Sequence, residues 1–311
     1  MKDKSEPSKK NENNSSGLST DIPGKVSELE LLLKKVLPRN VFWKIVLGKG
    51  LEFDGYRDYT SSDDASLIDW KASVRSKKTL VRKYVEERDK KFVFFIDVSD
   101  NMIFGSTSQL KCEYAAEVSA ALAHLILSDG DKVGYALYNK KIVKSKKPEV
   151  GNRLFSGMVY ELSDPENYGG ISDLKKVMDV GLQMLESDTS LVFLVSDFVR
   201  FDQSYKKNLE LLAGLVETVA IIVRDPLDNT FPDINKEVVI EDPETGERLI
   251  INPKVAKRTY EANAQEQLDN VKKVFDDLNI DFIELLTTDS FPEKIANFLR
   301  ERISGGRVVS K

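Results

Sequence analysis

Phe92-Val93-Phe94-Phe95-Ile96 runs without a polar side chain and then stops on Asp97. A stretch this short, this apolar and this rich in aromatic and β-branched residues reads as a strand covered on both faces, the usual state of a strand in a parallel sheet. Leu191–Val195 has the same character, and Thr218–Val223 and Phe282–Leu286 read as further strands. Segments with helical spacing separate them: Leu110–Leu127, Arg153–Leu162, a helix running to Leu185, Gln203–Glu217, Lys254–Leu278 and Pro292–Ile303. Lys132–Tyr138 is a further strand, and the tight turn Asn139-Lys140-Lys141 leads to an edge strand at Ile142–Val143. Strand and helix in alternation from Lys91 onward mean an α/β fold, a doubly wound and mostly parallel sheet. Asp242-Pro243-Glu244-Thr245-Gly246, flanked by Val238–Ile240 and Arg248–Ile251, reads as an inserted β-hairpin.

The expected organisation has four parts. Residues 1–23 are Lys, Ser, Asn, Glu and Pro with little to bury, and so form an unstructured tail. Residues 24–90 hold a helix, Lys25–Val36, whose Val26, Leu29, Leu32, Leu33 and Val36 share one face that packs on the main domain. They continue into a glycine-punctuated, β-rich segment in which Trp43 and Trp70 are core anchors. Residues 91–303 are the main domain, and 304–311 a C-terminal tail.

Composition removes several function classes. The chain has 46 Lys and Arg against 51 Asp and Glu, a net charge of −5, so it has no bulk attraction for nucleic acid or an anionic membrane. Arg75, Lys77, Lys78, Arg82, Lys83 and Arg88 make a locally basic stretch, read as a solvated face that Glu86, Glu87 and Asp89 partly offset. One cysteine, Cys112, excludes an internal disulfide framework and suits a reducing cytoplasm. One histidine, His124, excludes sites built on two or three imidazoles. The longest apolar-rich uncharged run, Val118–Ser128, is too short to span a bilayer. The polar N-terminus lacks the apolar core of a secretory signal, and a cytoplasmic location is expected.

In open α/β sheets, ligands collect outside the carboxyl ends of the strands. Three loops there carry oxygen donors: Asp97-x-Ser99-x-Asn101, Gly169-Gly170-Ile171-Ser172 and Ser196-Asp197. Carboxylate, hydroxyl and amide oxygens at alternate positions suit a hard cation that keeps some of its waters. Mg²⁺ is the expected ion, with Mn²⁺ and Ca²⁺ also open, and Asp97, Ser99, Asn101, Ser172 and Asp197 its expected holders.

This arrangement resembles the von Willebrand factor A-type domain, whose metal-ion-dependent adhesion site reads Asp-x-Ser-x-Ser, then Thr, then Asp. Asp97 and Ser99 match the first two positions. Asn101 stands at the second Ser, Ser172 at the Thr and Asp197 at the last Asp. A wider resemblance is to the domain-of-unknown-function 58 family. It is carried by Gly50-Leu51-Glu52-Phe53-Asp54-Gly55-Tyr56-Arg57-Asp58-Tyr59, by Asp63–Arg75 with Ile68-Asp69-Trp70 inside it, by Phe104-Gly105 and Lys111, and by Gly130-Asp131-Lys132-Val133-Gly134. Ser196-Asp197-Phe198 and Asp242–Glu247 complete the set. What this resemblance implies is a non-enzymatic, von Willebrand A-like interaction module that works with a MoxR-type AAA+ ATPase, as an adaptor or in chaperone-like maturation of other proteins.

Two alternatives stand beside that expectation. A metal-free scaffold would use Asp97 and Asp197 only to cap helices and bond loop amides. A metal-assisted hydrolase or phosphotransferase would use Asp97 as nucleophile, but the chain has no Gly-x-x-x-x-Gly-Lys-Ser/Thr loop to hold phosphate. In the binding reading, a carboxylate from an acidic loop of the partner completes the cation's shell. Cys112 and His124 read as packing or surface residues.

Overall fold

The computed structural model describes residues 18–36, 52–60, 68–76, 78–85, 90–241 and 246–305. In chain order its elements begin with α1 (Ile22–Val36), β1 (Glu52–Asp58), α2 (Trp70–Ser76), β2 (Leu80–Val85) and β3 (Lys91–Asp97). There follow α3 (Lys111–Ser128), β4 (Lys132–Tyr138), β5 (Ile142–Glu149), α4 (Asn152–Ser163), α5 (Leu174–Met184) and β6 (Thr189–Ser196). The last are α6 (Lys206–Leu215), β7 (Glu217–Arg224), β8 (Val238–Glu241), β9 (Arg248–Ile251), α7 (Pro253–Asp277), β10 (Asp281–Leu286) and α8 (Phe291–Gly305).

Six strands form one sheet in the order β10-β7-β6-β3-β4-β5, all parallel except β5, which runs antiparallel to β4. The chain goes from β3 outward to β4 and β5 on one side, and fills the other side with β6, β7 and β10. Strand order therefore reverses at β3 and β6, which is where such sheets open a crevice.

Side chains on β3 alternate between two cores, as a period of two requires. Phe92, Phe94 and Ile96 face a cluster with Leu29 of α1, Ala116 of α3, Met158 of α4 and Phe291 of α8. Val93 and Phe95 face the other, with Val177 of α5, Leu212 of α6 and Phe275 of α7. On that second face α5 lies so close that a Cβ at Gly181 would come 2.7 Å from Phe95 Cε1.

Several expectations need correction. Residues 18–23 are not a loose tail. Buried Glu113 and Glu117 of α3 accept the backbone N–H groups of Ser19 and Asp21 at 2.7 and 2.6 Å, and α1 starts at Ile22. Two carboxylates facing orphan backbone donors fix the chain where composition alone shows nothing to bury. Trp70 is not a core anchor: it opens α2, capped by Asp69, with its side chain 67% exposed. Trp43 lies outside the described residues. The edge strand is longer than Ile142–Val143, reaching Glu149, because Lys144, Lys146 and Lys147 point to water and hide its pairing from a hydropathy reading. The helix expected to end at Glu217 stops at Leu215, and Glu217 already belongs to β7.

Gly181→Ala is expected to destabilise the protein. Alanine in a helix interior gains about 1 kcal/mol of propensity over glycine, but the overlap with Phe95 costs about 1–3 kcal/mol. Gly214→Ala, where a Cβ meets no atom within 4 Å, should instead stabilise α6. Urea midpoints of the two variants moving in opposite directions would bear this out.

Candidate functional site

β3 ends on Asp97, buried to 1% exposure, and three donors converge on its carboxylate. Ser99 N donates to Oδ1 at 2.9 Å; Ser196 Oγ and Ser172 Oγ donate to Oδ2 at 2.7 and 2.9 Å. Ser196 arrives as the last residue of β6, alongside β3 in the sheet. Ser172 arrives on a loop that backbone hydrogen bonds fasten to the Asp97 turn. Gly169 N donates to Val98 O at 2.7 Å and Asp100 N to Gly170 O at 2.9 Å. Gly169 and Gly170 have φ of +119° and +84°, a region that side chains disfavour, so glycine is what lets the loop lie this close. Asp173 then caps α5 through Lys176 N.

Asp197, the residue after Ser196, is also buried. Its Oδ1 accepts Val199 N at 3.0 Å and its Oδ2 accepts the ammonium of Lys111 at 2.7 Å. Lys111, the first residue of α3 and only 2% exposed, reaches Asp228 Oδ2 as well, at 3.0 Å. Asp228 sits on the short helix Pro226–Asn229, where it accepts Asp225 N at 2.9 Å. Asp225 in turn accepts Ser106 N and Leu227 N at 2.8 and 2.9 Å. The loops after β3, β6 and β7 are thus tied into one polar network at one end of the sheet.

The two carboxylates titrate in opposite directions. Burial, and then the charge of Asp197, push Asp97 up to about 6, against the hydrogen bonds from Ser99 and Ser196. Burial would raise Asp197 too, but the Lys111 ammonium beside it holds it below the usual carboxylate range. Lys111 keeps its charge: burial opposes it, and Asp197 and Asp228 outweigh burial. Tyr138 is pushed well up by burial and by Asp97, and stays a phenol.

Of the five residues expected from sequence, Asp97, Ser99 and Ser172 meet at one carboxylate, and Asp197 is near enough for its charge to act on Asp97. Asn101 is buried in the same 3₁₀ turn, Asp100–Ile103. Ser99 Oγ lies beside Asp97, buried, without a hydrogen bond of acceptable geometry. Such an oxygen has a use for a cation, and the donor set of two carboxylates, hydroxyls and an amide is compatible with Mg²⁺ chemistry. No three His, Cys, Asp or Glu side chains are grouped to hold a metal among the described residues, so hydroxyls would have to supply part of any shell. The sequence names Ser196 among the strand-end donors and Lys111 as a mark of the family, but puts neither among the expected cation holders, and it gives Asp228 no role. The signal for Ser196 was present in its place at a strand end next to Asp197. A lysine at a helix start carries no signal for burial. Cys112 and His124 do not join this network: burial pushes the Cys112 thiol up to about 12, and His124 lies 3.2 Å from Glu30 on α1.

Comparison with known proteins identifies the family. The sequence model of the family described as "Protein of unknown function DUF58" matches residues 55–270. The chain belongs to that family. The matched span includes the loops after β3, β6 and β7, together with the β8–β9 hairpin. The uncharacterized proteins Mb1516 of Mycobacterium bovis and Rv1480 of Mycobacterium tuberculosis are each 24% identical, over 84% of this chain and 82% of theirs. Among solved structures, the conserved hypothetical protein BatB of Bacteroides thetaiotaomicron is similar over 70% of this chain and 98% of its own, at 11% identity and a TM-score of 0.43. A von Willebrand factor type A protein of Catenulispora acidiphila is similar over 73% of this chain and 44% of its own, at 10% identity and a TM-score of 0.38. No helix among the described residues is long and apolar enough to cross a membrane.

Two outcomes follow from the charges. A carboxylate whose folded pKa stands near 6 and whose unfolded pKa is near 4 binds more protons when folded, so its contribution to stability is present at low pH and lost as pH rises through 6. From pH 4.5 to 7.5, wild type should therefore lose about 2 kcal/mol relative to Asp97→Asn in urea unfolding. Lys111→Met strands two carboxylates and should cost about 3–5 kcal/mol, most of it recovered when Asp197→Asn and Asp228→Asn are added.

Proposed function

We propose that this chain is a von Willebrand A-like protein-interaction module in which Asp97, Ser99, Asn101, Ser172 and Asp197 hold a hard divalent cation, Mg²⁺ first. The observation that carries the reading is the meeting of Ser99, Ser172 and Ser196 at the Asp97 carboxylate, with the Ser99 hydroxyl left without a hydrogen bond. When bound, the cation supplies a Lewis-acidic position for an oxygen ligand from outside. The chain's own residues do the rest. Ser172 and Ser196 fix the Asp97 carboxylate, Lys111 keeps Asp197 ionised, and the glycine loop keeps the donors at fixed spacing. Ser172, Asp197 and exposed Arg200 line a small cleft through which a partner's carboxylate would approach. The partner is a protein with an acidic loop, and a MoxR-type AAA+ ATPase is the class the family resemblance brings forward. The proposed role is adaptor-like or chaperone-like maturation, with no chemistry at the site.

One observation favours a metal-free scaffold as second reading. Asp197 already has a resident cation in Lys111, and Asp97 already accepts three hydrogen bonds. Titration calorimetry with Mg²⁺ and Mn²⁺ separates the two. The metal reading expects about one site per chain, abolished in Asp97→Ala, with the wild-type melting temperature raised by the ion. Absence of heat with both ions, together with equal capture of an acidic-loop partner in chelator, would leave the scaffold.

A further inference from the structure

The insertion between β7 and α7 carries apolar side chains into water. β8 and β9 pair with Val238 opposite Ile251, Val239 opposite Ile250, Ile240 opposite Leu249 and Glu241 opposite Arg248. Cross-strand partners share a face and successive residues alternate. Val239 and Ile250 therefore lie on one face, and Val238, Ile240, Leu249 and Ile251 on the other. Val239, Leu249 and Ile250 are 61, 60 and 69% exposed, so each face is open at least in part, with Val238 and Ile251 half-buried. The sheet has two strands only, which leaves each strand an edge with no strand beside it among the described residues.

A lone two-stranded sheet is marginal in water, and an apolar open edge is a template for another chain. The main sheet shows the contrast: its edge strand β5 carries Lys144, Lys146, Lys147 and Pro148, which discourage pairing. The hairpin strands carry one charged pair only, Glu241 with Arg248 at the turn end, and no lysine or proline along the other three pairs.

Charge decides what would dock. Across residues 237–251, Glu237, Glu241, Asp242, Glu244 and Glu247 stand against Arg248 alone, a net charge of −4. Pairing two copies would bring two such hairpins to strand spacing, about 4.8 Å, well inside the ~8 Å screening length, where like charges repel. A basic segment meets attraction at the same distance. We propose that the hairpin is a docking edge for an extended segment of a partner protein, apolar and basic in alternation, which adds to β8 or β9 as a third strand. This surface is separate from the Asp97 site, and its test does not involve a metal.

The test uses the full chain and two fluorescent eight-residue peptides, one alternating Val with Lys, the other Val with Glu, read by anisotropy. The Val/Lys peptide is expected to bind, and to weaken about tenfold or more on raising salt past physiological strength. The double variant Val239→Ser, Ile250→Ser, which keeps every charge, should weaken it about tenfold or more with the circular dichroism unchanged. Equal binding of both peptides, indifference to the serine variant, or no binding of Val/Lys at about 100 µM each overturns the proposal. So does a dimer by light scattering that the serine variant abolishes, which would make a second copy the occupant.

Discussion

A lysine ammonium enclosed by protein is held charged only if carboxylates surround it closely enough to replace water. Lys111 meets that condition with Asp197 at 2.7 Å and Asp228 at 3.0 Å. It is the first residue of α3, and its two acids come from the segments that follow β6 and β7. Three crossover connections are thereby registered against one another by a single charge. The arrangement is brittle in a specific sense: each member is tolerable only in the presence of the others. The same grouping sets the electrical character of the sheet's carboxyl end. It leaves Asp197 ionised beside Asp97, whose ionisation is opposed first by burial and then by that neighbouring charge, so below about pH 6 the two carboxylates stand in different states.

Much of the scaffold could be read before any coordinates. Phe92–Ile96 and Leu191–Val195 have no polar face, and that state is met in the middle of a parallel sheet. Asp97, Ser99, Ser172 and Asp197 could be found because ligands in such sheets gather at strand ends, so position stood in for geometry. What could not be read depends on partners distant in sequence. Nothing near Lys111 tells that Asp197 and Asp228 await it. Glu113 and Glu117 look like the polar face of α3 until Ser19 and Asp21 are seen donating to them. Trp70 misled for the opposite reason. Its size argues for burial on average, but a seven-residue helix offers little surface to cover it.

On the readings proposed above, the site and the hairpin would be two ways of meeting another molecule. At the site, polar atoms are buried, fixed by several bonds each, and few in number. On the hairpin, apolar side chains are open and the recognition groups are backbone amides and a diffuse negative field. The first arrangement would select a small, hard ligand; the second would tolerate variation in what it receives, provided the charge sign is right.

The family match covers residues 55–270, yet the packing does not respect those limits. Ile22, Val26 and Leu29 of α1 and Phe291, Ile295 and Leu299 of α8 belong to the core beneath Phe92, Phe94 and Ile96, while β10 closes the sheet beside β7. Trimming the chain to the recognisable span would uncover the flank of α3 and expose the unpaired backbone of β7. The unit that sequence similarity recognises and the unit that can hold itself together in water are therefore different lengths of polypeptide.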